Sequence, residues 1–359
     1  METYFEPRPN TVAAGLVKES AIALGFFDGV HHGHQVVIGS AKKEAERLGV
    51  RCGVVTFKDH PRTLTRGRSP LLLTVIEQRL NLFAGLGVDF ALVLSFTEEL
   101  CKLSPREYVE NILVSGLGAR SISVGPNHHF GRDAEGDAAL LEQLGSKNNF
   151  VVHVADMILK NGTEVSSSAI RELVTTSRME QAADLLSRPY ALFGQVVEGD
   201  KRGQAIGFPT ANLELYPFQL VPGRGVYAGR ATLDGGKGQT VPCVINVGYR
   251  PTFKSQSAST AAAGNCCKTD DQSAATEVAA QTNGQLTVEA HLLDFSANLY
   301  GQFIEVEFLN YLRAEQKFSG VDALKAQIHK DIEHAIAYMK QCDDKRLSAE
   351  TEPEHRLHA

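Results

Sequence analysis

Through the first half of the chain, short apolar runs alternate with longer stretches in which apolar residues return every three or four positions. The runs at 21–25, 52–57, 90–94, 120–124 and 150–154 have the length of strands. The stretches at 34–48, 76–86, 104–115, 136–145 and 168–174 are amphipathic. In the first of them Val36, Val37 and Ala41 share one side, while Lys42, Lys43, Glu44, Glu46 and Arg47 crowd the other. Strands alternating with helices predict an α/β domain, an open parallel sheet covered by helices. A further helix, Met179–Leu186, ends at Ser187-Arg188-Pro189, and there the texture changes.

From Tyr190 onward the runs are short, alternating, and parted by glycine and proline: 193–197, 225–231, 241–247, 286–293 and 302–308. With no helical stretches between them, they predict an antiparallel barrel or sandwich. One amphipathic helix follows at 320–340, its apolar stripe formed by Leu324, Ile328, Ile332 and Ile336. Two domains are therefore expected, 1–187 and 188–341. Residues 254–285, dominated by Ser, Thr and Ala, and the charged tail 342–359 lack the apolar surface that offsets the entropy of ordering. They are expected to be a flexible insert and a flexible tail.

A length of 359 residues suits two domains, each with its own core. The net charge of −6 disfavours nucleic acid and anionic membrane as partners. No apolar run reaches bilayer length, and Met1-Glu2-Thr3-Tyr4-Phe5-Glu6 lacks the layout of a signal peptide. The six cysteines form no CxxC pair, so neither a zinc site nor a disulfide framework is implied. The chain reads as a cytoplasmic enzyme with small-molecule substrates. Its sequence leaves self-association open.

The densest candidate chemistry is Ile22 to His34. An apolar run bends through Gly25-Phe26-Phe27-Asp28-Gly29 and delivers His31 and His34 to the start of a helix. A strand, a glycine turn and a helix start make half of a βαβ unit, and such helix starts bind anions. Further along, Ser166-Ser167-Ser168 with Arg171 offers hydroxyls and a guanidinium at another helix start. The 125–132 loop, with Asn127, His128, His129 and Phe130, suits a planar heteroaromatic ligand. In the second half, Gly199, Gly203 and Gly207 allow backbone to approach a polyphosphate, beside Lys201 and Arg202. Thr210 and Asn212, two apart on an extended segment, present oxygens suited to Mg²⁺. Glu289 is a carboxylate on an otherwise apolar strand and a candidate base. Taken singly, each has a plainer reading: a helix cap, a polar loop, a β-turn or a solvated strand face.

Together the stretches GFFDGVHHGHQ, VVTFKDHP, GPNHHFGRDAEGD, VSSSAIREL, GFPTANL, GVYAG, NVGYRPTF, VEAHLLDF and LYGQFIEVEFLNYLR resemble the prokaryotic bifunctional riboflavin kinase/FMN adenylyltransferases, or FAD synthetases. The resemblance covers most of residues 20–340. It implies a Rossmann-like nucleotidyltransferase domain with a parallel sheet, then an antiparallel β-barrel riboflavin kinase domain with a terminal helix. It also implies two reactions: ATP and Mg²⁺ convert riboflavin to FMN in the second domain, and ATP adenylylates FMN to FAD in the first, releasing pyrophosphate. On this resemblance His31, His34 and Arg171 serve adenylyl transfer, and Glu289 is the kinase base. Gly25, Phe27, Asp28, Gly29, Ser166, Ser167 and Ser168 contact nucleotide in the first domain; Gly199, Gly203, Gly207, Thr210 and Asn212 do so in the second. Thr210 and Asn212 also hold the metal, while Asn127 and Arg313 contact flavin. Three positions depart from the pattern: Phe26 stands where many members have Asn, Asp59 where Pro is common, and Ser168 where Thr is usual. The 254–285 insert replaces a much shorter loop.

Overall fold

The structure, a computed structural model, describes residues 1–6, 12–60, 70–160, 162–249 and 286–351. The 254–285 insert and residues 352–359 of the expected tail lie outside these described residues. Close contacts divide the chain into two compact units, one of Met1–Phe193 with Leu215–Val221, the other of Gly194–Glu214 with Pro222 onward.

The first unit is built on six strands: β1 (Glu2–Glu6), β2 (Ser20–Leu24), β3 (Arg51–Phe57), β4 (Phe90–Leu94), β5 (Ala119–Val124) and β6 (Val151–Val154). Their order is β1-β4-β3-β2-β5-β6, and every pairing is parallel. The period-2 alternation of β2 sorts its side chains onto the two faces. Ile22 and Leu24 pack with Leu92, Ile112, Ile122 and Leu141 on one side. Ala21 and Ala23 face α1 (His32–Leu48), which contributes Val37, Ile38, Ala41 and Ala45. Small side chains on that face let α1 lie close to the sheet. The chain winds outward from β2 through β3 and β4, then returns to β5 beside β2. The topological switch point, where open α/β sheets bind ligands, therefore falls between β2 and β5.

The strands lie where the apolar runs predict them, within a residue or so. The helices α2 (Ile76–Gly85), α3 (Ala138–Asn148), α4 (Ser167–Thr175) and α5 (Met179–Leu186) follow the amphipathic stretches. The expected 104–115 helix is one turn, Pro105–Glu107, running into a π-helical segment, Tyr108–Gly116. Among the strands, two features have no counterpart in the sequence reading. One is β1, an edge strand bounded by Glu2 and Glu6. The other is the hairpin of β7 (Leu159–Lys160) and β8 (Thr163–Glu164), each too short for a pattern.

The second unit holds a closed barrel in the order β10-β13-β12-β11-β14-β9, made of β9 (Tyr190–Val197), β10 (Ala211–Leu215), β11 (Gly225–Thr232), β12 (Thr240–Tyr249), β13 (Leu286–Leu292) and β14 (Phe303–Arg313). The pairings described in full are antiparallel. The terminal helix α6 (Val321–Thr351) packs Ala335 and Met339 on Val226, Ala228, Val244 and Leu309. Two expectations are corrected here. Ile336 is exposed, because Ala335 and Met339 carry the buried stripe beyond Ile332. The helix also continues past 341 to Thr351. Lys, Arg, Leu, Ala and Glu beyond Asp344 favour helix by propensity alone, and no proline intervenes before Pro353. Among the described residues no helix is long and apolar enough to cross a membrane.

Candidate functional site

In the first unit, loops after β2, β5 and β6 and the start of α4 converge on a cavity of about 310 Å³ at the switch point. It is lined by Gly25, Phe27, His31, Gly33, His34, Gly125 to His128, Ala155 to Ile158, and Glu164 to Ser167. Segments as far apart in sequence as Gly25 and Ser167 thus meet at the carboxyl edge of one sheet.

The histidines owe their geometry to the helix start. His31 is the N-cap of α1, and its Nδ1 accepts a hydrogen bond from the His34 backbone N–H at 3.3 Å. That bond fixes the tautomer: Nδ1 is the acceptor, so Nε2 carries the proton and is left as donor. The His34 ring stacks on His31 with centroids 3.5 Å apart, and its buried Nδ1 has no hydrogen-bond partner among the described residues. Burial, then the positive charge of Arg188 and Arg171, pushes His31 down to about 4. Burial also holds His34 well below the ordinary range, reinforced by His31, Arg79 and Arg188. Both imidazoles are therefore neutral at pH 7, each able to donate one N–H. Across the cavity, burial with His129 nearby pushes His128 down to about 4, and its Nε2 also has no partner among the described residues. Asn127 sits exposed on the rim.

The structure separates the remaining candidates. Ser166 caps α4, accepting from the Ala169 N–H at 3.3 Å, and Ser167 Oγ donates to the Asp28 carbonyl at 3.0 Å. Both line the cavity; Ser168 is exposed and does not. Asp28 and Arg171 are also outside the lining. The buried Asp28 carboxylate accepts from the backbone N–H groups of Leu73 and Thr74, both at 3.0 Å, and pairs with Arg171 Nη2 at 2.6 Å. Arg171 Nε donates to the Leu71 carbonyl at 2.7 Å. Asp28 and Arg171 thus neutralise each other while anchoring the 71–74 segment. Gly29 completes the turn at φ +82°, and its N–H donates to Thr74 Oγ1.

In the second unit, strand register assembles the site. Asn212 on β10 stands opposite Glu289 on β13, and Glu289 stands opposite Asn246 on β12. Directly opposed residues point to the same face, so the three form a polar row across three strands. The same parity puts Val244 and Val226 on that face, which α6 covers. The result is a cavity of about 330 Å³ lined by Thr210, Val244, Asn246, Glu289, Arg313 and Ile328, among others. Arg313 is held there by Asp331 of α6, with Nη2–Oδ2 at 2.7 Å and Nε–Oδ1 at 2.9 Å. A second cavity, of about 240 Å³, shares Thr210 and is lined by Gln204, Pro209, Ala290 and Leu299.

Of the glycines, Gly203 lines the larger cavity and Gly207 turns at φ +94°. Gly199 is demanded by space: a Cβ there would lie 2.2 Å from Asn212 Nδ2. Lys201 pairs with Glu198. Thr210 lines both cavities and Glu289 the larger, whereas Asn212, opposite Glu289 in the register, lines neither; Thr210 and Asn212 offer oxygen donors, and no group of three His, Cys, Asp or Glu gathers among the described residues. That suits Mg²⁺, which takes few protein ligands and completes its shell with water and substrate phosphate. Sequence reasoning did not single out Asn246, Asp331 or Arg79. The first needed β-strand register, and the other two became visible only through burial.

A parallel sheet with neutral histidines at its switch point, followed in the chain by a barrel with an acid–amide row, defines a two-domain nucleotide-dependent transferase. Residues 15–169 match the FAD synthetase family and residues 186–339 the riboflavin kinase family. The chain is 34% identical, over 96% of its length and 100% of the relative's, to the bifunctional riboflavin kinase/FMN adenylyltransferase of Listeria monocytogenes. It is 33% identical, over 94% and 98%, to that of Bacillus subtilis. A Streptococcus pneumoniae crystal structure titled as a macrolide-efflux protein shares the fold, with TM-score 0.75 at 24% identity, over 93% of this chain and 98% of that one. The chain belongs to the bifunctional riboflavin kinase/FMN adenylyltransferase family.

Proposed function

We propose that residues 1–187 adenylylate FMN and residues 188–341 phosphorylate riboflavin, with the roles below. The observation that carries this reading is the convergence of His31, His34, Asn127, Ser166 and Ser167 on one cavity at the switch point. In the first domain an oxygen of the already ionised FMN phosphate attacks the α-phosphorus of ATP. That bond forms as the bond from the α-phosphorus to the bridging oxygen breaks, and pyrophosphate leaves, so no general base is needed. His31 and His34 donate N–H groups to oxygens on which charge builds, alongside backbone N–H groups at the start of α1. Asn127 holds FMN. Asp28 and Arg171 act by fixing the turn.

In the barrel, Glu289 accepts the proton of the riboflavin 5′-hydroxyl as that oxygen attacks the γ-phosphorus of ATP and ADP departs. Thr210 and Asn212 would hold Mg²⁺, which neutralises charge on the phosphate oxygens. Arg313, fixed by Asp331, orients the flavin. We place the enzyme in the cytoplasm, with riboflavin, FMN and ATP as its partners. The test is a time course with riboflavin, ATP and Mg²⁺, resolved by chromatography. FMN rising and then yielding FAD is the expected result. No flavin product from riboflavin or from supplied FMN would overturn the reading.

A further inference from the structure

Arg79, on α2, is fully buried in the first unit, and among the described residues no carboxylate lies within ion-pair distance of it. A buried cation without a paired anion is costly, so its surroundings must hold it for a reason. Burial lowers it to about 10 against the opposing charges of Asp28, Asp59 and Glu77, so it stays charged at neutral pH. Its Nη donors go to main-chain carbonyls, Nη1 to Phe26 at 2.8 Å and Phe57 at 3.0 Å and Nη2 to Lys58 at 3.1 Å, while Nε has no partner among the described residues. Thr56 Oγ1 donates to the same Phe26 carbonyl at 2.9 Å and accepts from Nη1. The Phe26 ring covers the guanidinium at 4.4 Å, a cation–π contact.

These contacts bear directly on the cavity. Phe26 lies between Gly25 and Phe27, both of which line it. Phe27 sits at φ +56°, a left-handed conformation strained for a bulky residue, and its ring stands edge-on to His34 with centroids 5.3 Å apart. We infer that Arg79 is a positioning residue for adenylyl transfer. By clamping the Phe26 carbonyl to the end of β3 it imposes the strained turn at Phe27 that seats His34, and it supplies a fixed positive charge behind the anion-binding helix start. This rests on the adenylyl-transfer reading of His31 and His34.

The test uses the full chain with Arg79→Met, Arg79→Lys and the milder Thr56→Val, each assayed for FMN adenylylation and for riboflavin phosphorylation. Arg79→Met is expected to lower kcat for adenylylation about 100-fold, as misplacement by an ångström does, with KM for FMN changed less than about threefold. Arg79→Lys, which keeps the charge but loses the fork, should recover part of that loss. Thr56→Val should lower kcat by a smaller factor, which keeps the inference testable if Arg79→Met does not fold. The imidazole titration of His34, followed by NMR, should move up in Arg79→Met. Wild-type kcat in folded Arg79→Met and in Thr56→Val, with His34→Ala inactive, would overturn the role of Arg79 alone. A kcat loss that merely tracks the unfolded fraction would also overturn it. If the unaltered chain makes no FAD from FMN, the underlying reading fails instead.

Discussion

We propose that the chemistry turns on two side chains, His34 and Glu289. Removing one positioned donor to a developing charge costs about 100- to 1,000-fold, and His34→Ala is expected to lose that much kcat for FMN adenylylation; an unchanged rate would contradict it. Losing a positioned base costs at least about 100-fold, so Glu289→Gln should fall by that factor in riboflavin phosphorylation. The histidines also couple stability to pH. His31 in the folded chain titrates at about 4 instead of 6.5. Between those values the unfolded chain takes up a proton that folded His31 refuses, so stability is full above 6.5 and falls as pH drops toward 4. The loss is on the order of 3 kcal/mol at most. Urea midpoints measured from pH 7 to 4 should fall more steeply for the wild type than for His31→Gln. Parallel curves would contradict the assignment.

At the level of elements, what the sequence could reveal depended on periodicity. The core strands of the sheet are continuous apolar runs, because both faces are buried, and α1 shows its stripe plainly. The barrel strands were found from their alternation, except β10, which is hidden in the GFPTANL loop. The roles of Asp28 and Arg171 were not legible, since nothing in their spacing tells that the carboxylate meets the guanidinium and the backbone of Leu73 and Thr74. The Asn212–Glu289–Asn246 row needed register, which the chain alone does not print. The terminal helix shows how such partners matter. Asp331, 4% exposed at its side chain, secures Arg313. Asp331→Ala would strand the guanidinium at a cost on the order of 3 kcal/mol. We expect a lower thermal midpoint and a raised KM for riboflavin, with FMN adenylylation retained. An unaltered KM would place Arg313 outside flavin recognition.

For the whole molecule, we propose two independent active sites, one in each unit. FMN is the product of one and the substrate of the other, so the two activities are separable by substrate as well as by mutation. The most direct measurement crosses them: Glu289→Ala and His34→Ala chains, each given ATP and Mg²⁺ with riboflavin or with FMN, the flavins resolved over time. We expect Glu289→Ala to convert FMN to FAD while leaving riboflavin untouched, and His34→Ala to turn riboflavin into FMN that accumulates without FAD. If either substitution abolishes both conversions in a folded chain, or if neither abolishes its own, the division of chemistry between the two sites is wrong.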